Sequence, residues 1–136
     1  MTTAADERAV ADLLSEADAA FAAGDADRWA ACFEEDGRVW LLHRPALEGR
    51  DAIREYWLTM SERLDTSDWN PSTELVELQG DHAVAFRTYT ERLRNLEDGS
   101  RTLVRGRLAI LMRRGADAWR IRVLMNSHAH PMEPIA

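Results

Sequence analysis

The chain has 136 residues, 46% of them hydrophobic and 30% charged, which is the composition of one soluble globular domain. Its 24 acidic and 17 basic residues give a formal charge of −7, which argues against nucleic acid as a partner because phosphate binding needs a basic face. No apolar run approaches the roughly 20 residues that cross a bilayer, and the N-terminus lacks the basic and apolar parts of a secretory signal, so we expect neither membrane insertion nor export.

Two compositional features indicate the cellular setting. The single cysteine, Cys32, cannot form an internal disulfide, which is typical of a protein from a reducing cytoplasm. All 17 basic residues are arginine, which indicates a GC-rich bacterial genome. We therefore expect a cytoplasmic bacterial protein.

The first half of the chain is predicted to be mainly helical. The first helix spans residues 4–23 and ends at Gly24, a short second helix follows, and a third spans residues 50–64. Between the second and third helices, alternating side chains over residues 38–43 predict a strand that Pro45 ends. The apolar positions that define the helices are Val10, Leu13, Leu14, Ala17 and Phe21, then Trp29, Cys32 and Phe33, then Ile53, Tyr56, Trp57, Met60 and Leu64.

The second half is predicted to be a meander of four strands, since turn-forming pairs separate segments rich in β-branched and apolar residues. Consecutive strands joined by short turns pair antiparallel. We therefore expect an α+β domain, a cone-shaped curved antiparallel sheet wrapped around the three helices, with a cavity between them. We expect one domain over residues 1–136, with a core at about 4–128 and a tail at 129–136. The predicted strands are 72–79, 82–95, 101–114 and 117–128.

Alternation along these strands assigns side chains to two faces of the sheet. We assign the more apolar set of each strand to the concave face that meets the helices, and expect a β-bulge to reverse the assignment beyond it. The concave set is Val84, Phe86, Thr88 and Thr90, then Val104, Gly106, Leu108, Ile110 and Met112, then Trp119, Ile121, Val123, Met125 and Ser127. The outer set includes Arg87, Tyr89, Glu91, Arg105, Arg107, Arg120, Arg122 and Asn126.

Five segments in order resemble the nuclear transport factor 2-like superfamily, and within it the SnoaL-like branch. They are Ala23-Gly24-Asp25-Ala26-Asp27, Phe33-Glu34-Glu35-Asp36-Gly37, Glu48-Gly49-Arg50-Asp51-Ala52-Ile53, Gly80-Asp81-His82-Ala83-Val84 and Trp119-Arg120-Ile121, and the resemblance covers about residues 5–128. It implies a cone-shaped α+β barrel that often dimerises through its outer sheet face. It also implies a relation to polyketide cyclases, isomerases and epoxide hydrolases, which work without a cofactor.

The named mechanisms of that family do not transfer to this chain residue by residue. The positions of the proton-transfer groups of a ketosteroid isomerase fall at Ala17, Leu41 and about Leu108, none of which can transfer a proton. Where a SnoaL-type cyclase has an acid/base aspartate, the last strand offers Val123, Met125, Asn126 and Ser127. Function must therefore be argued from the site.

His43 is the predicted general acid/base, because imidazole titrates near neutral pH and the residue lies on the predicted first strand. The competing interpretation is a strand-end histidine bonded to a backbone carbonyl. Tyr56 is predicted to donate its hydroxyl to a substrate oxygen, or else to be a core aromatic. The predicted substrate contacts are Trp57, Phe86, Thr88, Thr90, Leu108, Met125 and Ser127 in the cavity, Arg92 at its mouth, and Trp69 as a lid or a packing plug.

No metal site is expected. His128 and His130 alternate on one strand, but no further ligand is spaced near them, and a solvated tail explains them better. Cys32 is expected to be a small buried residue and not a nucleophile.

Two functions remain open. The first is a small-molecule enzyme of bacterial secondary or peripheral metabolism, an isomerase, cyclase, dehydratase or hydrolase that does cofactor-free acid/base chemistry in an apolar cavity. The second is a non-catalytic domain for small-molecule binding or for association. In either case we expect a hydrophobic ligand and a homodimer formed through the outer sheet face, where arginine and tyrosine suit an interface.

Overall fold

Two helices precede the first strand of the fold, and a third helix lies between the second and third strands. A computed structural model describes residues 3–42, 44–128 and 132–135. Helix α1 spans Ala4–Ala23, α2 spans Ala26–Ala31 and α3 spans Arg50–Arg63. Thr3 caps α1 through a reciprocal pair of hydrogen bonds with Asp6, and Gly24 ends the helix at a φ of 67°, a conformation that glycine adopts without strain. None of the described helices is long and apolar enough to cross a membrane.

The described strands form one curved sheet in the order β2-β1-β6-β5-β4-β3, with β7 paired to β5. The meander β3–β6 is confirmed, and so is the α+β architecture with its three helices. The strand bounds are β1 Phe33–Trp40, β2 Leu47–Glu48, β3 Leu64–Gln79, β4 His82–Asn95, β5 Arg101–Arg114, β6 Trp119–His128 and β7 Glu133–Ile135.

Three details of the expected sheet are wrong. The sheet is mixed and not purely antiparallel, because β1 lies parallel to β6. No short turn joins those two strands, so hairpin geometry does not fix their direction. Strand β1 begins at Phe33 and not at Arg38, and β3 begins at Leu64, directly after α3. The tail is also partly ordered, since β7 pairs with Arg101–Leu103 of β5.

The core lies between the helices and the concave face of the sheet. Its centre is aromatic: the rings of Phe21 and Trp57 stack with centroids 4.2 Å apart, and Trp29 meets Phe33 edge-on at 5.0 Å. Trp69 packs on Phe21 at 4.6 Å. These contacts join α1, α2, α3, β1 and β3 and occupy the inner part of the cone.

Buried Asp6 connects the start of α1 to the end of β5 and the start of β6. Its carboxylate accepts hydrogen bonds from Arg114 at 2.9 Å and from the Trp119 indole at 3.1 Å. These donors, with Thr3, hold the pKa of Asp6 at about 2, below its ordinary value of 3.8. The contact positions α1 across the concave face.

The predicted faces are wrong for β4 and for the end of β6. On β4 the buried side chains are Ala83, Ala85, Arg87, Tyr89 and Glu91, so the more polar set faces the helices. Polarity misled the assignment because partners elsewhere in the fold, such as Asp18 of α1, satisfy part of this set. On β6 a register shift between Ile121 and Val123 turns Leu124 and Asn126 inward, and Met125 and Ser127 outward. The predicted faces hold for β5 and for the start of β6.

Candidate functional site

A tyrosine lies across a glycine on the concave face of the sheet. Tyr89 of β4 is paired with Gly106 of β5, and a Cβ at Gly106 would lie only 2.5 Å from the tyrosine Cζ and hydroxyl oxygen. Because Gly106 has no side chain, the ring can cross β5 and donate its hydroxyl to Asn126 Oδ1 on β6, at 2.7 Å. Burial raises the pKa of Tyr89 to about 12 and keeps the phenol neutral.

Glu91 lies two residues further along the same face of β4. Its side chain is 6% exposed, and its Oε2 has no hydrogen-bond partner among the described residues. Its strand neighbours are Trp69 on β3 and Val104 on β5, neither of which carries a charge. Burial, with a smaller contribution from Asp68, raises the pKa of Glu91 to about 8. The carboxyl group is therefore mainly protonated at neutral pH.

Trp69 contacts Tyr89 of this pair, and two further aromatic residues, on α3, lie in or beside the core. The Trp69 ring lies 4.8 Å from Tyr89, and the buried Trp57 indole nitrogen has no hydrogen-bond partner among the described residues. On α3, half-buried Tyr56 packs against the core under the guanidinium of Arg44, which lies 4.9 Å from its ring centroid. Burial raises the pKa of Tyr56 as well. Tyr89 and Glu91 are thus both neutral acids in an apolar setting.

The arrangement has the chemistry of a proton donor beside hydrogen-bonding groups. A protonated carboxyl with a vacant oxygen can give a proton to a basic atom and take one back, and it needs neither metal nor cofactor to do so. Since Tyr89 donates to Asn126 Oδ1, the amide hydrogens of Asn126 remain for another acceptor. A carboxyl group whose pKa is raised toward neutral pH by burial is typical of general acids.

A second polar group bridges α1 and the sheet. Arg87 of β4 is buried and binds Asp18 of α1 through both terminal nitrogens, at 2.9 and 2.7 Å. Asp18 Oδ1 also accepts from the Trp69 indole at 3.0 Å. This ion pair joins α1 to β4 next to the Glu91 cluster, and we assign it no part in the chemistry of Glu91.

The structure divides the predicted site residues into three groups. His43, the predicted acid/base, lies outside the described residues. Trp57 and Leu108 lie in the core, and Tyr56 and Trp69 pack against it. Trp69 belongs to β3 and donates a hydrogen bond to Asp18, which agrees with a packing plug. The remaining predicted contacts do not face the cone: Phe86, Thr88, Thr90, Arg92, Met125 and Ser127.

The outward positions of that last group have local explanations. Phe86 and Met125 are 45% and 42% exposed, and the Thr88 hydroxyl donates to Glu74. Arg92 is exposed and lies 3.7 Å from Asp68, with which it forms an ion pair outside the cone. The prediction that Phe86, Thr88, Thr90, Met125 and Ser127 line the cavity is therefore wrong, for the same reasons as the face assignment of β4 and β6. Arg92 was predicted at the mouth and lies on the outward face with them.

Sequence reasoning missed Tyr89, Glu91 and Asn126. The sequence contains one indication of their position. An isolated glycine inside a strand, here Gly106, often marks the close approach of another group. That approach would have placed Tyr89 on the concave face, and Glu91 with it. The burial of an unpaired carboxyl has no comparable signature in the sequence.

No group of three or more histidine, cysteine or acidic side chains could hold a metal ion within the described part of the chain. His130 lies outside the described residues, while His128 is a half-buried residue of β6 and not part of a solvated tail. Cys32 is buried as expected, and burial raises the pKa of its thiol to about 11, which makes it a poor nucleophile.

Comparison with known proteins assigns the chain to a family. The sequence model of the SnoaL-like domain matches residues 2–124. No curated protein matches. Among solved structures, a ketosteroid isomerase-like protein from Erwinia carotovora atroseptica is similar with a TM-score of 0.86, at 21% identity over 95% of this chain and 100% of that one.

Two further structures share the fold. A conserved protein from Planctomyces limnophilus has a TM-score of 0.85, at 15% identity over 98% of this chain and 100% of that one. The hexachlorocyclohexane dehydrochlorinase LinA-type3 from Novosphingobium barchaimii has a TM-score of 0.78, at 15% identity over 97% of this chain and 91% of that one. At these identities the likeness concerns the fold alone.

Proposed function

We propose that this chain, which belongs to the SnoaL-like domain family, is a cofactor-free enzyme that transfers protons on a hydrophobic small molecule, with Glu91 as the acid. The observation that carries the proposal is the Glu91 carboxyl, which is buried beside Trp69 and Val104 and whose Oε2 has no hydrogen-bond partner within residues 3–42, 44–128 and 132–135. Leaving a buried polar atom unpaired costs free energy, and a catalytic role is a reason to retain one. The reaction is an isomerisation, cyclisation, dehydration or hydrolysis in bacterial secondary or peripheral metabolism, in the cytoplasm.

In this proposal each polar group has one role. Glu91 gives its proton to a substrate oxygen and recovers one as product forms. Asn126, oriented by Tyr89, donates a hydrogen bond to the same or a neighbouring oxygen. His43 is the base that removes a proton from the substrate, and Tyr56 donates a hydrogen bond at the margin of the core.

The test is a search for conversion in a panel of hydrophobic ketones, β-hydroxyketones and epoxides, incubated in D₂O and followed by NMR. We expect deuterium exchange, loss of water or ring opening with at least one class, and a loss of about 100-fold or more in Glu91→Gln. Thr90→Val, which changes the neighbouring outward side chain, is the matched control. Full turnover by Glu91→Gln would show that Glu91 is not the acid.

A non-catalytic binding or association domain is the second candidate. It is supported by the family resemblance, which puts the proton-transfer groups of a ketosteroid isomerase at Ala17, Leu41 and about Leu108, where this chain has no acid or base. In that case compounds from the panel would bind unchanged, and Glu91→Gln would alter affinity without any rate to lose.

We also propose that the protein forms a homodimer through the outer face of the sheet. An apolar row crosses five strands in register, made of Leu75, Phe86, Ala109, Met125 and Trp40. Four of these side chains are exposed large hydrophobics, and a second copy would cover them. A self-complementary face of this kind suits two-fold association.

A further inference from the structure

A cleft of about 740 Å³ lies between α1 and the second half of β3. Its apolar lining comes from Val10 and Leu14 of α1 and from Val76 and Leu78 of β3. None of Tyr89, Glu91 and Asn126 lines it, so the cleft is separate from the Glu91 cluster. The polar or charged lining residues are Glu7, Ser15, Asp18, Thr73 and Arg87. A concave space of this size with apolar walls and a few polar groups is typical of a small-molecule site.

One end of the cleft presents hydrogen-bond donors. Arg87 lines the cleft and is 6% exposed, and its Nε donates to Thr73 Oγ1 at 3.1 Å. Its two terminal nitrogens each donate one hydrogen to Asp18. A guanidinium has five N–H groups, so two remain for an acceptor in the cleft.

The charges around the cleft favour an uncharged hydrogen-bond acceptor over a carboxylate. Asp18 already neutralises Arg87, and Glu7 lines the cleft eleven residues earlier on α1, about 16 Å away along the helix axis. A carboxylate entering here would lose its hydration without gaining an uncompensated cation. An uncharged oxygen costs less to desolvate and can accept the same hydrogen bonds.

We propose that this cleft binds an uncharged amphiphile, a molecule with an apolar chain and a carbonyl oxygen at one end. The chain lies along Val10, Leu14, Val76 and Leu78, and the oxygen accepts from Arg87. This assignment does not depend on the proposed activity, because none of Tyr89, Glu91 and Asn126 lines the cleft.

The probes are three eight-carbon compounds that differ in their polar end: 2-octanone, octanoate and octylammonium. Binding to the full chain is followed by amide and indole NMR shifts. We expect 2-octanone to shift the signals of Ala11, Thr73 and Val76 and the Trp69 indole, and to bind at least about fivefold more tightly than either charged compound.

Two matched variants locate the site. Ala11→Phe places a ring in the cleft and should weaken 2-octanone binding by more than about tenfold. Ala19→Phe makes the same change at another exposed alanine of α1, outside the cleft lining, and should leave binding unchanged. Octanoate or octylammonium binding as tightly as 2-octanone would overturn the ligand class. Shifts confined to Gly106, Leu108 and Asn126, unchanged binding by Ala11→Phe, or no binding of 2-octanone would overturn the site.

Discussion

A carboxyl group that is buried among aromatic and aliphatic side chains holds its proton to higher pH than one in water, and Glu91 is such a group. Its strand neighbours Trp69 and Val104 carry no charge, and Oε2 has no hydrogen-bond partner in the part of the chain that the structure describes. The folded state therefore keeps a proton on Glu91 up to a pH of about 8, while the unfolded chain releases it near 4.5.

This difference makes the free energy of unfolding depend on pH. Between about 4.5 and 8 the folded state binds one more proton than the unfolded state, so stability falls as pH rises through that window and levels off above it. Glu91→Gln removes the titration. We expect the variant to match the wild type near pH 4 and to be more stable by about 3–5 kcal/mol at pH 8.5, since each pKa unit is 1.36 kcal/mol.

Urea denaturation across this pH range measures the effect. Glu77→Gln, at an exposed glutamate of β3, is the control and should follow the wild-type curve. A constant offset between Glu91→Gln and the wild type at every pH would contradict a proton held by the folded state.

At the scale of single elements, the packing of Tyr89 over Gly106 fixes how β4, β5 and β6 meet. A methyl group at Gly106 would overlap the tyrosine ring at 2.5 Å. We expect Gly106→Ala to destabilise the fold by about 1–3 kcal/mol, as overpacking does. In a Tyr89→Leu background the same change should cost less than about 1 kcal/mol, because the overlapping ring is absent. Equal costs in both backgrounds, measured by urea denaturation, would exclude this contact as the cause.

Asp6 has a comparable role for α1, which it attaches to Arg114 and Trp119. Its pKa is lowered in the folded state, so its contribution is complete above about 3.8 and is lost as pH falls toward 2. Asp6→Asn should lower the thermal midpoint by several degrees at pH 7, with the gap closing between pH 4 and 2. Asp12→Asn, at an exposed position of the same helix, should change the midpoint little. A gap that stays constant at low pH would contradict the ion pair.

The elements themselves were predictable where periodicity and turn residues are strong. Apolar spacing located α1 and α3, and the turn pairs located the hairpins of the meander. The faces of β4 were not predictable, because the burial of Arg87 depends on its ion pair with Asp18, which lies 69 residues away in sequence. The β6 bulge at Arg122 reversed Met125 and Ser127, and no residue type there marks a bulge.

For the whole molecule, the proposed homodimer makes a prediction about the outer sheet face. Phe86 is the aromatic residue nearest the centre of the exposed apolar row, next to Ala109 of β5. Phe86→Arg should raise the dimer dissociation constant by about 30-fold or more, since truncating a central interface aromatic costs about 2 kcal/mol or more. Leu58→Arg, at an exposed apolar residue of α3, is the control.

Light scattering during size-exclusion chromatography measures the mass of each variant across a range of concentrations. The wild type and Leu58→Arg should elute as dimers where Phe86→Arg elutes as a monomer. A wild type that is monomeric at high micromolar concentration would contradict the proposed interface.

From the sequence we predicted an apolar cavity whose few polar groups include His43, Thr88 and Ser127, whereas the structure turns Arg87, Tyr89 and Glu91 of β4 toward the helices. Fold and family follow from the order of elements along the chain. The site follows from which side chains the curved sheet turns inward, and that depends on one bulge and on partners contributed by distant helices.

The most direct test of the account is the titration of the Glu91 side chain itself, followed by the NMR signal of its carboxyl carbon and assigned by its loss in Glu91→Gln. We predict a midpoint near pH 8, because the folded protein buries this carboxyl. A midpoint near 4.5 would show a solvated, ionised carboxylate and would contradict the role of Glu91 as a proton donor.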